Sequence, residues 1–108
     1  MGRANLGELE EQVLLILIRL KGESYAVHVA EVLADLTGRE MSAATAFMVM
    51  RRLEHRGLLQ SRVGGPDPEW GGRPRRFYKV RMKVVQPLLQ SSRKARLTLW
   101  NGLEHLWR

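Results

Sequence analysis

Residues 24–57 read SYAVHVAEVLADLTGREMSAATAFMVMRRLEHRG, two helical periods separated by a four-residue link. Ser24 stands as the N-cap of the first, and Ala26, Val29, Ala30, Leu33 and Leu36 recur at the spacing of one buried helix face. Gly38 sits where a left-handed residue ends a helix. After the link, residues 38–41, Ser42 caps a second helix that runs to about Arg56 and closes at Gly57. Two short helices joined by a tight turn containing glycine form a helix-turn-helix.

On the C-terminal side, two β-like runs, residues 58–63 and 76–80, flank GGPDPEWGGRP at residues 64–74. That segment is turn chemistry throughout and suits an extended hairpin loop. A hairpin directly after a helix-turn-helix is a wing. From about Val84 to Trp107, apolar or small residues recur at Leu88, Ser92, Ala95, Leu99, Leu103 and Leu106, which predicts one long helix with Pro87 confined to its first turn. On the N-terminal side a helix is expected from near Asn5, at capping-box spacing from Glu8, to just before Gly22. Leu6, Leu9, Val13, Ile16, Leu17 and Leu20 make its stripe, and Leu14, Leu15 and Ile18 add apolar surface on the other side. A helix apolar nearly all round needs cover on both sides.

The fold class expected is mainly α with a small β-hairpin: a winged helix-turn-helix plus a long C-terminal dimerisation helix. The division expected is residues 1–83 as the DNA-binding domain, including the N-terminal helix, and residues 84–108 as the dimerisation helix. A second subunit supplies the missing cover. The dimer contact is expected from Val13, Leu14 and Leu17 with Leu88, Leu99, Trp100, Leu103 and Leu106, in a two-fold four-helix arrangement.

A chain of 108 residues is the size of one domain. It has no cysteine, which excludes disulfide scaffolds, thiolate metal sites and cysteine nucleophiles. The longest apolar run, residues 13–18, falls far short of the roughly 20 residues a membrane helix needs. The polar, acidic start argues against a secretory leader, so a soluble cytoplasmic protein with no membrane partner is expected. Residues 1–50 carry four Lys or Arg against seven acids, a net of −3, whereas residues 51–108 carry fourteen against four, a net of +10. That asymmetry points to a polyanion, with double-stranded DNA as the first choice. A solvated basic face, or a face for an acidic protein partner, is the competing reading.

On the helix that follows Ser42, Ala43, Ala46, Val49, Met50 and Leu53 point to the core at 100° per residue. Ala44, Met48, Arg51 and His55 point away, with Thr45, Phe47 and Arg52 on the flanks. Ala44, Thr45 and Met48 suit thymine methyls, and Arg51 or Arg52 suits guanine or phosphate. Ser42 and the amides behind it suit one phosphate. Arg51 and Arg52 have a plainer reading, as solvating groups or partners of Glu54 or Glu31. In the wing, Arg73, Arg75, Arg76 and Lys79 are the phosphate candidates. Trp70 either lies against sugar or folds back on its own loop. His28, His55 and His105 are scattered, with no metal-ligand spacing. Glu8, Glu10 and Glu11 make an acidic first turn suited to the helix dipole. No nucleophile elbow or HExxH occurs, so no catalytic residue, metal or cofactor is expected, and no enzyme.

Leu6 to Leu15 followed by Ser24 to Ala30, Met41 to Phe47 followed by Arg52 to Leu59, and Gly71 to Val80 together resemble PadR-family transcriptional regulators over nearly the whole chain. The resemblance implies a winged-helix homodimer joined through its terminal helices and acting mostly as a repressor. Two positions depart from the family pattern. Phe47 stands where members commonly carry a tyrosine whose hydroxyl helps hold phosphate, and Arg81-Met82-Lys83-Val84 replaces the usual Thr-Pro-x-Gly start of the last helix. Some small members hold flat aromatic compounds between tryptophans at the dimer centre. Trp100 and Trp107, two turns apart on one helix side, therefore carry two readings: dimer-core packing, or a slot for an aromatic effector.

Overall fold

A computed structural model describes residues 5–107. The chain runs α1 (Glu8–Arg19), β1 (Glu23–Ser24), α2 (Ala26–Thr37), α3 (Ala43–His55), β2 (Leu59–Pro66), β3 (Pro74–Val80) and α4 (Met82–Trp100), with 3₁₀ turns at Pro68–Trp70 and Glu104–Trp107. The first four residues, on which part of the argument against a leader rests, lie outside the described range.

The helix-turn-helix forms as its punctuation requires. Gly38 ends α2 with φ 73°, a left-handed conformation that a side chain disfavours. The Ser42 hydroxyl accepts the Thr45 N–H at 3.0 Å and so starts α3. β2 and β3 pair antiparallel from Leu59↔Val80 to Pro66↔Pro74, with an irregularity between Val63 and Pro66. The short β1 joins the other side of β3, giving the order β1-β3-β2. Ser24 is therefore a strand residue and Tyr25 the N-cap of α2, one position later than expected. The first helix also starts later. Its N-cap is Gly7, whose N–H donates to Glu10 Oε1 at 2.9 Å, so Glu10 and not Glu8 closes the first turn.

α1 runs through the middle of the core. Val13, Leu14, Ile16 and Leu17 pack with Val29 and Leu33 of α2, Val49, Met50 and Leu53 of α3, Leu59, Tyr78 and Val80 of the sheet, and Val85 of α4. This corrects the expected dimer contact. Val13, Leu14 and Leu17 are wholly buried within one subunit and have no surface to give a partner. On this helix the subunit covers Leu14 as well as the main stripe, and leaves Leu15 exposed and Ile18 half-buried.

α4 is held at its beginning by buried Val85 and half-buried Leu88 and Leu89, and one side of its middle is tied to Glu11 of α1 through Ser92 and Arg96. Pro87 lies just beyond the first turn, six residues into the helix. From Arg93 onward every described residue is exposed. The helix stops at Trp100 rather than continuing to Trp107, because Asn101 caps it and Gly102 turns the chain at φ 88°. Leu103 thus lies in the link after the helix, Leu106 and Trp107 belong to a separate turn that folds back, and the Trp100 and Trp107 rings meet edge to face with centroids 5.0 Å apart. The radius of gyration is 15.5 Å, against about 13 Å for a compact chain of this length. No described helix is long and apolar enough to cross a membrane.

Candidate nucleic-acid interface

The two faces of α3 separate as the periodicity requires. Ala46, Val49, Met50 and Leu53 are buried, while Ala44, Thr45, Met48, Arg51, Arg52 and His55 are exposed. Phe47 stands at the boundary, its ring edge-on to the buried Tyr78 ring at 6.2 Å, and so ties the helix to the root of the wing. Burial pushes the Tyr78 phenol above its ordinary value, with the Glu54 carboxylate adding to the shift. At the far end of α3, Arg56 bonds Glu10 Oε1 at 2.6 Å and Arg52 lies 3.5 Å from Glu10 Oε2. Arg52 thus pairs with the first helix, not with Glu54 or Glu31. Arg51 has no ion pair among the described residues.

Pleating divides the wing cations. Arg76, Tyr78 and Val80 share the α3-facing side of β3, whereas Arg75, Phe77 and Lys79 face the other way. Arg76 donates to Ser61 Oγ at 3.0 Å, and Ser61 in turn donates to Glu54 of α3 at 2.7 Å. Arg75 is occupied. Its Nε bonds the Asp67 carboxylate and its guanidinium lies over the Tyr25 ring at 4.2 Å and the Trp70 ring at 5.1 Å. The Arg75 hydrogen bond holds the Asp67 carboxyl below the usual aspartate range. Arg75 is consequently corrected from phosphate candidate to internal brace of the wing. Arg73, over the Trp70 ring at 4.9 Å, and Lys79 remain exposed. Trp70 takes the second of its two readings and folds back on its own loop.

Two groups escape a reading of the sequence. Arg62 spans from Phe77, 4.6 Å from the ring centroid, to both oxygens of Glu23 at 3.0 and 3.2 Å, which fastens β2 across β3 to β1. Tyr25 sits edge-on to Phe77 at 5.6 Å and carries Arg75. The alternation of Arg75, Phe77 and Lys79 in β3 is the signal that separates Arg75 from Arg76.

An exposed helix face, braced at its C-terminal end by Glu10 and flanked by a cation-bearing hairpin, defines a winged-helix DNA-binding domain. No family sequence model matches the chain, and no match was found among curated proteins. Solved structures do match. A PadR-family transcriptional regulator from Eggerthella lenta is 30% identical, with 92% of this chain and 85% of that one covered at a TM-score of 0.68. A transcriptional regulator from Clostridium thermocellum, 19% identical with 93% of each chain covered, has a TM-score of 0.67. A PadR-family regulator from Clostridium difficile, 16% identical over 89% of this chain and 92% of that one, has a TM-score of 0.53. The last two bear on fold alone. The chain belongs to the PadR family of DNA-binding transcriptional regulators.

Proposed function

We propose that the protein binds an inverted-repeat operator as a homodimer, acts as a repressor and has no catalytic activity. The observation that carries this reading is the exposed outer face of α3 beside a wing whose Arg73, Arg76 and Lys79 are exposed. Ser42, Ala44, Thr45, Met48 and Arg51 face base edges or the nearest phosphate, Arg52 reaches the backbone when it leaves Glu10, and the wing cations hold phosphates. Residues 1–83 form the DNA-binding part and residues 84–108 the dimerisation part. Leu15 replaces the buried residues of α1 in the contact, alongside Leu88, Leu99, Trp100, Leu103 and Leu106. Two-fold symmetry then sets the recognition helices about 34 Å apart, one turn of DNA. A regulator works where the genome is, so the same reading has it in the cytoplasm.

Trp100 and Trp107 border an open recess of about 510 Å³ with Leu97, Arg93 and Lys94. In the dimer the tryptophan pair either packs into the shared core or walls a slot for a flat aromatic effector.

The test is a labelled duplex from the gene's own upstream region, titrated against random duplex at several salt concentrations. Both are expected to show steep salt dependence, with only the operator tighter by ~10³ or more. Equal, weak binding to every duplex would instead favour a winged-helix module that meets an acidic protein.

A further inference from the structure

The exposed face of α3 is short of the groups that read bases by hydrogen bonding. Between Ala44 and Arg52 it presents no Asn, Gln, Asp, Glu or Lys. An amide is what grips adenine bidentately, and an acid is what accepts from cytosine. The Thr45 hydroxyl is drawn back to the helix start, where it accepts from Ser42 Oγ at 2.9 Å. Arg52 leans to Glu10. What remains is apolar: Ala44, Phe47 at 36% exposure and Met48 at 64%. Arg51 is the single cation of this face without an ion pair among the described residues.

Leaving a methionine and a phenylalanine edge in water has a cost that only an apolar partner recovers. Exposed Arg73 and Arg76 on the neighbouring wing attract a polyanion to this side of the molecule. Along the major groove of DNA the one apolar group is the C5-methyl of thymine. On the reading of α3 as the helix that enters DNA, we propose that its sequence preference is set by thymine methyl groups packed against Ala44, Phe47 and Met48. Arg51 supplies the one strong hydrogen-bonding base contact, to guanine. Each operator half-site is then a cluster of thymines beside one guanine. Affinity for it depends on methyl groups that take no part in base pairing.

That dependence is tested without touching the protein. A random duplex library is taken through rounds of selection on the full chain, and the selected site is resynthesised with deoxyuridine at each half-site thymine in turn. Each contacted methyl is expected to contribute about fourfold in affinity, the equivalent of about 0.8 kcal/mol. Met48→Ala is expected to abolish that fourfold difference at one or two positions while the other half-site thymines keep theirs. Met48 lies in water, so the variant keeps the fold, which circular dichroism checks. A selected site that binds equally with thymine and uridine overturns the proposal and leaves sequence-specific DNA binding standing. A library that yields no enriched site sinks the DNA reading itself, and this inference with it.

Discussion

At the scale of single residues, the wing shows how the same side chain serves two purposes one position apart. Arg75 is held by Asp67 and stacked between Tyr25 and Trp70, whereas Arg73 and Arg76 keep exposed guanidinium groups. The salt dependence of DNA binding should separate them. Removing one phosphate partner from the protein flattens the log–log slope by about 0.9. Replacing Arg73, Arg76 and Lys79 together by alanine is expected to flatten it by about 2 to 3 per protomer. Arg75→Ala is expected to leave the slope almost unchanged and to loosen the wing, seen as faster proteolysis between Gly64 and Pro74. Anisotropy titrations between about 50 and 200 mM salt check this. Equal slope changes for Arg73→Ala and Arg75→Ala would restore Arg75 as a phosphate ligand.

At the scale of elements, α1 joins the two functional ends through neighbouring carboxylates. Glu10 holds Arg52 and Arg56 of α3, and Glu11 accepts from Ser92 at 2.9 Å and from Arg96 of α4. Burial raises both carboxyls, but the Gly7 N–H and Arg56 at Glu10, and Arg96 and Ser92 at Glu11, more than offset it, and both end below the ordinary value. An acid lowered in the native state stabilises fully above its unfolded pKa, about 4.3. That contribution is lost as pH falls through the native value. Stability should therefore be insensitive to these groups near neutrality and decline below about pH 4. The Glu10→Gln, Glu11→Gln double variant should show a shallower decline in thermal melts. Glu11→Gln alone should cost about 1 kcal/mol, since Arg96 is half in water and screened.

These long-range pairs cannot be read from sequence, where Glu8, Glu10 and Glu11 are equivalent acids of one turn. Local punctuation can: Gly38 and Ser42 bound the turn of the helix-turn-helix because each acts on its own backbone. β1 escapes because two residues display no period, and it exists only through its pairing with Lys79 and Tyr78. The end of α4 misleads because Leu103 and Leu106 prolong the helical spacing past Asn101 and Gly102, which stop it. The apolar circumference of α1 announces two-sided cover correctly, but periodicity says nothing about which chain provides it.

At the scale of the whole molecule, the shape is lopsided: a packed body and a helix that leaves it. Leu97, Leu99, Leu103 and Leu106 are exposed along that projection, Leu99 at 75%. A single subunit with this much uncovered apolar surface favours self-association through α4. Wild type is expected to sediment as a dimer at micromolar concentration. Leu99→Asp with Leu103→Asp should yield a folded monomer whose melting no longer depends on protein concentration and which loses tight operator binding. A monomeric wild type would remove the dimer from the proposed function. The fold-back at Gly102 also has an optical consequence. All three tryptophans lie outside the core, Trp70 in the wing and the Trp100–Trp107 pair beyond the anchored part of α4. The intrinsic fluorescence of the protein is thus silent about core packing. Its emission maximum should shift to the blue when the indole pair is covered by a second chain, and with Trp70→Phe the remaining signal becomes a label-free gauge of the monomer–dimer equilibrium.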